Sequence, residues 1–268
     1  AACTAAEVGC NTFLLEKGNE LGGLASLISK IPAKNRLADF PHYLMHRAEQ
    51  LDNLYIFKNT EGTPENIRKF HPNIIVSSTG SAPLLPPITG LKDRIDNEKH
   101  NIYSILGMIS HINDFPKDLE GKKVVVVGGG AVGLDVVEFF ADRNADISIV
   151  EMMDQIGRDL DPVSKNDTKA MMKKHNVHQL TKTALLEVKD SSFLVKGDGE
   201  PYELPFEYGF VCLGMRAQGQ LYQNLTEEFS SEDVEIMNIG DSQRARRIID
   251  GTQEGRNILT ILEQKGYL

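Results

Sequence analysis

Residues Lys122–Asp154 read KKVVVVGGGAVGLDVVEFFADRNADISIVEMMD. A four-valine run, Val124–Val127, leads into a glycine turn; an amphipathic helix follows, and a second apolar strand ends on Glu151. Gly128, Gly130 and Gly133 stand in GxGxxG spacing between that strand and that helix, the context in which the pattern marks a dinucleotide-binding turn. Gly128 permits the tight turn, Gly130 lets a pyrophosphate approach the backbone, and Gly133 lets the helix pack on the strand. Exposed amides and the helix dipole then attract the phosphates. Glu151 falls about 20 residues beyond Gly130, where an acid accepts hydrogen bonds from an adenosine ribose and repels a 2′-phosphate. Met152, Met153 and Asp154 offer no cation to such a phosphate, so the stretch favours NADH over NADPH.

Working outward, the same order of elements recurs at the start of the chain. Ala1–Gly23, AACTAAEVGCNTFLLEKGNELGG, lies over Val136–Gly157 residue for residue as far as Glu16, which takes the place of Glu151. The strand and glycine turn that should precede such a helix are not in the sequence. Together with an opening Ala-Ala rather than Met, this gives the expectation of a fragment of a longer protein.

Between the two repeats, LADFPHYLMHRAEQL reads as a helix, NLYIFKN and NIIVSSTG as strands, and Ser81–Leu91, with three prolines, as an extended crossover. After them come a helix around PVSKNDTKAMMKKHN, short strands near TALLEVKD, SFLVKG and PYELP, a buried strand GFVCLG, and a last strand, turn and helix around VEIMNIGDSQRARRIID. Asp241, in the final IGD, reads equally well as a turn or helix-cap aspartate and as a ligand contact.

The 268 residues suffice for two domains, and 41% hydrophobic with 25% charged residues is ordinary for a soluble globular protein. No apolar run approaches the roughly 18 residues of a spanning helix. A net charge of -9 disfavours a nucleic-acid surface, and the one basic cluster, Arg244–Arg247, reads as a solvated turn or a contact to one anionic group. Cys3, Cys10 and Cys212 form no CxxC pair, which leaves neither a zinc site nor a dithiol centre and favours a reducing cytoplasm. His175 and His178 gain no third ligand from the sequence, and neither a metal site nor a catalytic nucleophile with its base is expected.

The motif order resembles the two-dinucleotide-domain flavoprotein reductases, most closely the C-terminal half of the 2,4-dienoyl-CoA reductase, 2-enoate reductase and NADH:flavin oxidoreductase group. The resemblance covers essentially the whole chain and rests on LLEKGNELGG, VSSTGSAPLLPPITG, the glycine-turn stretch Lys122–Asp154, FVCLGMRA and NIGDSQRARRIIDGTQEG. It implies an α/β fold of two Rossmann-like domains, with an NAD(P)H domain (117–208) inserted in a split FAD domain (1–116 and 209–268). It also implies FAD contacts at Glu16, Lys17, Gly22, Gly23, Thr79, Gly80, Gly240 and Asp241. For the nicotinamide nucleotide it adds Ala131, Val132 and Gly214 to Gly128, Gly130, Gly133 and Glu151. In such enzymes NADH reduces FAD, and electrons pass through an iron–sulfur cluster to FMN in an N-terminal barrel that holds the enoate or enoyl-CoA substrate. That barrel, its FMN and its cluster are expected only in a longer parent chain, whose first strand would complete the FAD pyrophosphate site. A disulfide reductase of the thioredoxin-reductase type shares the plan but needs a redox cysteine pair. A structural module that binds ADP or NAD, with no flavin or activity of its own, is the alternative.

Overall fold

The computed structural model describes residues 1–268 as an α/β protein of two compact units. One unit is discontinuous, Ala1–Ser29, Asn35–Ala82 and Met215–Leu268, and the other comprises Lys30–Lys34 and Pro83–Gly214. In chain order the strands of the first part are β1 (Thr12–Leu15), β2 (Leu54–Phe57), β3 (Ile74–Ser77) and β4 (Ser81–Pro83). Those of the central part are β5 (Ile102–Tyr103), β6 (Lys123–Val127), β7 (Asp146–Val150), β8 (His178–Leu180), β9 (Ala184–Val188), β10 (Ser192–Lys196), β11 (Tyr202–Pro205) and β12 (Tyr208–Val211). Two more, β13 (Met215–Ala217) and β14 (Glu235–Asn238), follow.

The central unit holds a five-stranded parallel sheet in the order β5-β12-β6-β7-β8, with β9, β10 and β11 forming an antiparallel sheet. A strand with four consecutive valines suits the middle of such a sheet, because both its faces are covered. Val125 and Val127 join Val150, Val211, Phe193 and Val195 in a core under the antiparallel sheet. On the other face Phe210 packs against Phe140, with ring centroids 4.8 Å apart, and Phe115 meets Phe140 edge-on at 5.1 Å. The helix Ala131–Ala141 returns the chain from β6 to β7, while β12 lies on the other side of β6. The carboxyl end of β6 is therefore the switch point at which α/β sheets bind ligands.

The discontinuous unit is built from smaller pieces. β1 pairs with β2 in parallel, β3 with β14 in parallel, and β4 with β13. Ala6, Ala48 and Leu54 make one apolar cluster; Ile75, Leu225 and Phe229 make another. Phe13, Tyr55 and Phe57 are half-exposed on β1 and β2; Phe13 stacks on Tyr55 and meets the tilted ring of Phe70.

The domain boundaries differ from the sequence expectation of 116/117 and 208/209. Residues 83–116 and 209–214 belong to the central unit because β5 and β12 extend the sheet of β6, and Leu91, Ile102 and Val211 enter its core. Lys30–Lys34 also belongs there, although its neighbours on both sides lie in the other unit. No helix is long and apolar enough to cross a membrane.

Candidate dinucleotide-binding sites

The three motif glycines at the end of β6 are required for different reasons. Gly128 has φ +110°, and a Cβ there would lie 2.1 Å from the Cys212 carbonyl oxygen. A Cβ on Gly133 would lie 1.9 Å from the Gly128 oxygen, so the helix could not approach the strand. Gly130 is different. It has φ -79°, and its Cβ would meet nothing within 4 Å. Nothing inside the protein demands a glycine at that position, and the open space is a cradle that a side chain would fill.

Gly130 caps the helix Ala131–Ala141, and the first amide to reach back is that of Leu134, which donates to the Gly130 oxygen at 3.0 Å. The amides of Ala131, Val132 and Gly133 precede that bond, as the orphan donors of a helix start do. An anion before them meets both free N–H groups and the positive end of the dipole.

Glu151 is anchored at the end of β7. Its Oε2 accepts from the Gly129 amide at 2.6 Å and its Oε1 from the Met153 amide at 2.7 Å. A Cβ on Gly129 would come within 2.9 Å of that carboxylate. Gly129, a variable position of the motif, is thus what lets the acid reach the turn; the run of three glycines was its signal in the sequence. The Gly129 carbonyl accepts from Gly157 at 2.7 Å, which ties the loop after β7 to the turn. Gly214, at φ +101°, accepts from the Leu84 amide at 2.9 Å.

In the discontinuous unit the expected flavin contacts fall into two groups. Glu16 ends β1 as Glu151 ends β7, and its Oε1 accepts from the Gly18 amide at 2.6 Å, beside exposed Lys17. Gly22 (φ +104°) and Gly23 (φ +52°) open a short helix; a Cβ on Gly22 would meet the Ser26 hydroxyl, whereas Gly23 faces open space. The second group joins the end of β3 to the turn after β14. Thr79 Oγ1 donates to the Gln218 carbonyl, whose amide donates to Gly80 at 2.9 Å, and Gly80 (φ +76°) has room for a ligand. Asp241 accepts from Ser81 Oγ at 2.9 Å and from the Arg246 amide at 3.0 Å. The Gly240 amide donates to Glu254 Oε2 at 2.6 Å, which holds that carboxyl below its usual range, and Arg246 pairs with the same side chain. The basic cluster is thus partly tied down, Arg247 facing Asp250 at 3.7 Å.

Cys3, Cys10 and Cys212 are free thiols. Burial first, then the charges of Asp135 and Asp96, push the Cys212 thiol up to about 12, far from thiolate chemistry at neutral pH. His178 lies 3.3 Å from Asp146 at the far end of the sheet from the glycine turn.

A family model described as pyridine nucleotide-disulphide oxidoreductase matches residues 43–237. The chain is 26% identical over 256 residues to an NADH oxidase of Thermoanaerobacter brockii, covering 95% of this chain and 38% of that protein. It is likewise 26% identical to a metal reductase of Desulforamulus reducens, covering 96% of this chain and 41% of the relative. It thus spans about two fifths of the curated relatives it matches. Among solved structures, 2-naphthoyl-CoA reductase in complex with 2-naphthoyl-CoA superposes with a TM-score of 0.80 at 22% identity, over 95% of this chain and 36% of that one.

Proposed function

The chain belongs to the pyridine nucleotide-disulphide oxidoreductase family, whose cofactors are FAD and NAD(P)H, and from that premise we propose that it is the NADH- and FAD-binding part of a flavin-dependent reductase. The observation that carries the reading is Gly130: an open cradle before free helix amides, with a ribose-binding acid anchored next to it. Gly130, Ala131, Val132 and Gly133 hold the pyrophosphate of NADH. Glu151 takes the adenosine ribose hydroxyls with oxygens already fixed by two amides, so its charge stays in place against a 2′-phosphate. Gly214 borders the same site.

Glu16, Lys17, Gly22 and Gly23 hold the adenosine end of FAD, while Thr79, Gly80, Gly240 and Asp241 receive its pyrophosphate and ribityl chain; the open space at Gly23 and Gly80 fits this. When bound, FAD supplies an acceptor for the hydride of NADH, two electrons with a proton. The work of this chain's residues is to bind and orient, and the buried Cys212 thiol takes no part in electron transfer.

The electrons then pass, in our reading, through an iron–sulfur cluster and FMN of an N-terminal barrel in the parent protein to an enoate or enoyl-CoA. Support comes from the greater length of the relatives and from the name of one of them, a cinnamate reductase of Clostridium sporogenes that is 21% identical to this chain over 194 residues. A second reading, a structural module without flavin, draws on the Gly240 amide and Asp241 carboxylate being engaged internally. Absorbance between about 350 and 500 nm, recorded on the chain after incubation with FAD and removal of unbound flavin, and again with NADH added anaerobically, separates the two. A flavin band that bleaches with NADH supports the reductase; a colourless chain that still binds NADH supports the module.

A further inference from the structure

Lys34 belongs to the five-residue segment Lys30–Lys34, which is part of the central unit and holds the buried Ile31, 1% exposed. Its Nζ lies 3.0 Å from Asp135 Oδ1 and 3.1 Å from Glu138 Oε2. Both acids sit on the glycine-turn helix, whose first residue is Ala131, so at about 1.5 Å per residue Asp135 is ~6 Å and Glu138 ~10 Å along the axis from the helix start. Carboxylates at those separations oppose an anion bound at the amino end of the helix, Asp135 more than Glu138. Asp135 is mostly buried, and burial pushes its carboxyl up before Lys34 pulls it back. Its charge is felt by the Cys212 thiol, and Cys212 is the residue whose carbonyl abuts Gly128.

We propose that Lys34 is a positioning residue for the nicotinamide dinucleotide: held by Asp135 and Glu138, its single positive charge offsets part of the repulsion that the two carboxylates exert on the pyrophosphate at Gly130–Gly133. The proposal rests on the nucleotide reading of that turn and adds to it a residue far away in sequence, which no glycine motif contains. Lys34 touches the acids rather than the ligand, so its effect is electrostatic and depends on ionic strength.

The test is equilibrium titration of the 268-residue chain with NADH at low and high salt. Lys34→Met should weaken NADH about tenfold at low salt, and the gap should close toward ~0.5 M salt as screening sets in. Lys34→Arg should bind like wild type, and adding Asp135→Asn and Glu138→Gln to Lys34→Met should restore most of the affinity. Circular dichroism confirms that each variant is folded. Equal affinity of wild type and Lys34→Met overturns the proposal, as does a triple variant that stays as weak as the single one, because that would be loss of packing. If wild type itself binds no NADH, the nucleotide reading fails first and takes the proposal with it.

Discussion

Gly130 and Gly133 stand three residues apart in one motif, yet substitutions at the two should fail in different assays. Gly133→Ala forces a methyl into the Gly128 carbonyl and should cost about 1–3 kcal/mol of stability, read by denaturant unfolding. Gly130→Ala meets no protein atom and has an ordinary φ, so its stability should match wild type while NADH affinity falls at least about tenfold. Glu254 offers a pH test. Its carboxyl is held below the ordinary glutamate value of 4.5 by the Gly240 amide and then Arg246, so its contribution is complete above pH 4.5 and is lost as pH falls through the lower folded value. Wild type should therefore exceed Glu254→Gln in stability at neutral pH, with the difference fading in acid; a constant difference would show that the carboxylate charge is not what matters. At the level of single residues, spacing and strand-to-helix context made legible the close approaches at Gly128 and Gly133 and the places of Gly130 and Glu151 beside the turn. The sequence was silent on Lys34, and for Gly129 it offered the run of three glycines without the reason for it, since the two roles come from contacts with side chains about 100 residues and 22 residues away.

The apolar pattern places elements well and their partners poorly. The valine run reads as an apolar strand and is one, and the structure adds that it is buried at the centre of five. The run Gly209–Gly214 reads as a buried strand, but only pairing with β6 reveals that it extends that sheet rather than the other unit's. The same nonlocal pairing moves residues 83–116 across the expected boundary: the proline-rich stretch marks the crossing, and β5 and Leu91 beyond it are already on the far side. Phe210 on β12 is fully buried among Phe140, Phe115 and Tyr103, so Phe210→Ala should cost about 3–5 kcal/mol. Phe13→Ala on half-exposed β1 should cost clearly less. Equal losses in urea unfolding would contradict the packing described for the two strands.

As a whole the chain is an acidic, two-unit α/β protein of the pyridine nucleotide-disulphide oxidoreductase family, and it spans about two fifths of relatives that carry different reductase and oxidase names. What it recognises is therefore more telling than what its relatives finally reduce. A ligand that binds only the folded state stabilises it by mass action, so NADH at a hundredfold excess over its Kd should add about 2.7 kcal/mol to unfolding of the central unit. The most direct measurement is a paired equilibrium titration of the chain with NADH and with NADPH, repeated on Glu151→Arg. A ribose-binding Glu151 predicts saturable NADH binding, NADPH weaker by about tenfold or more, and a shift toward NADPH in the variant. Equal binding of the two nucleotides by wild type, or unchanged selectivity in Glu151→Arg, would contradict it.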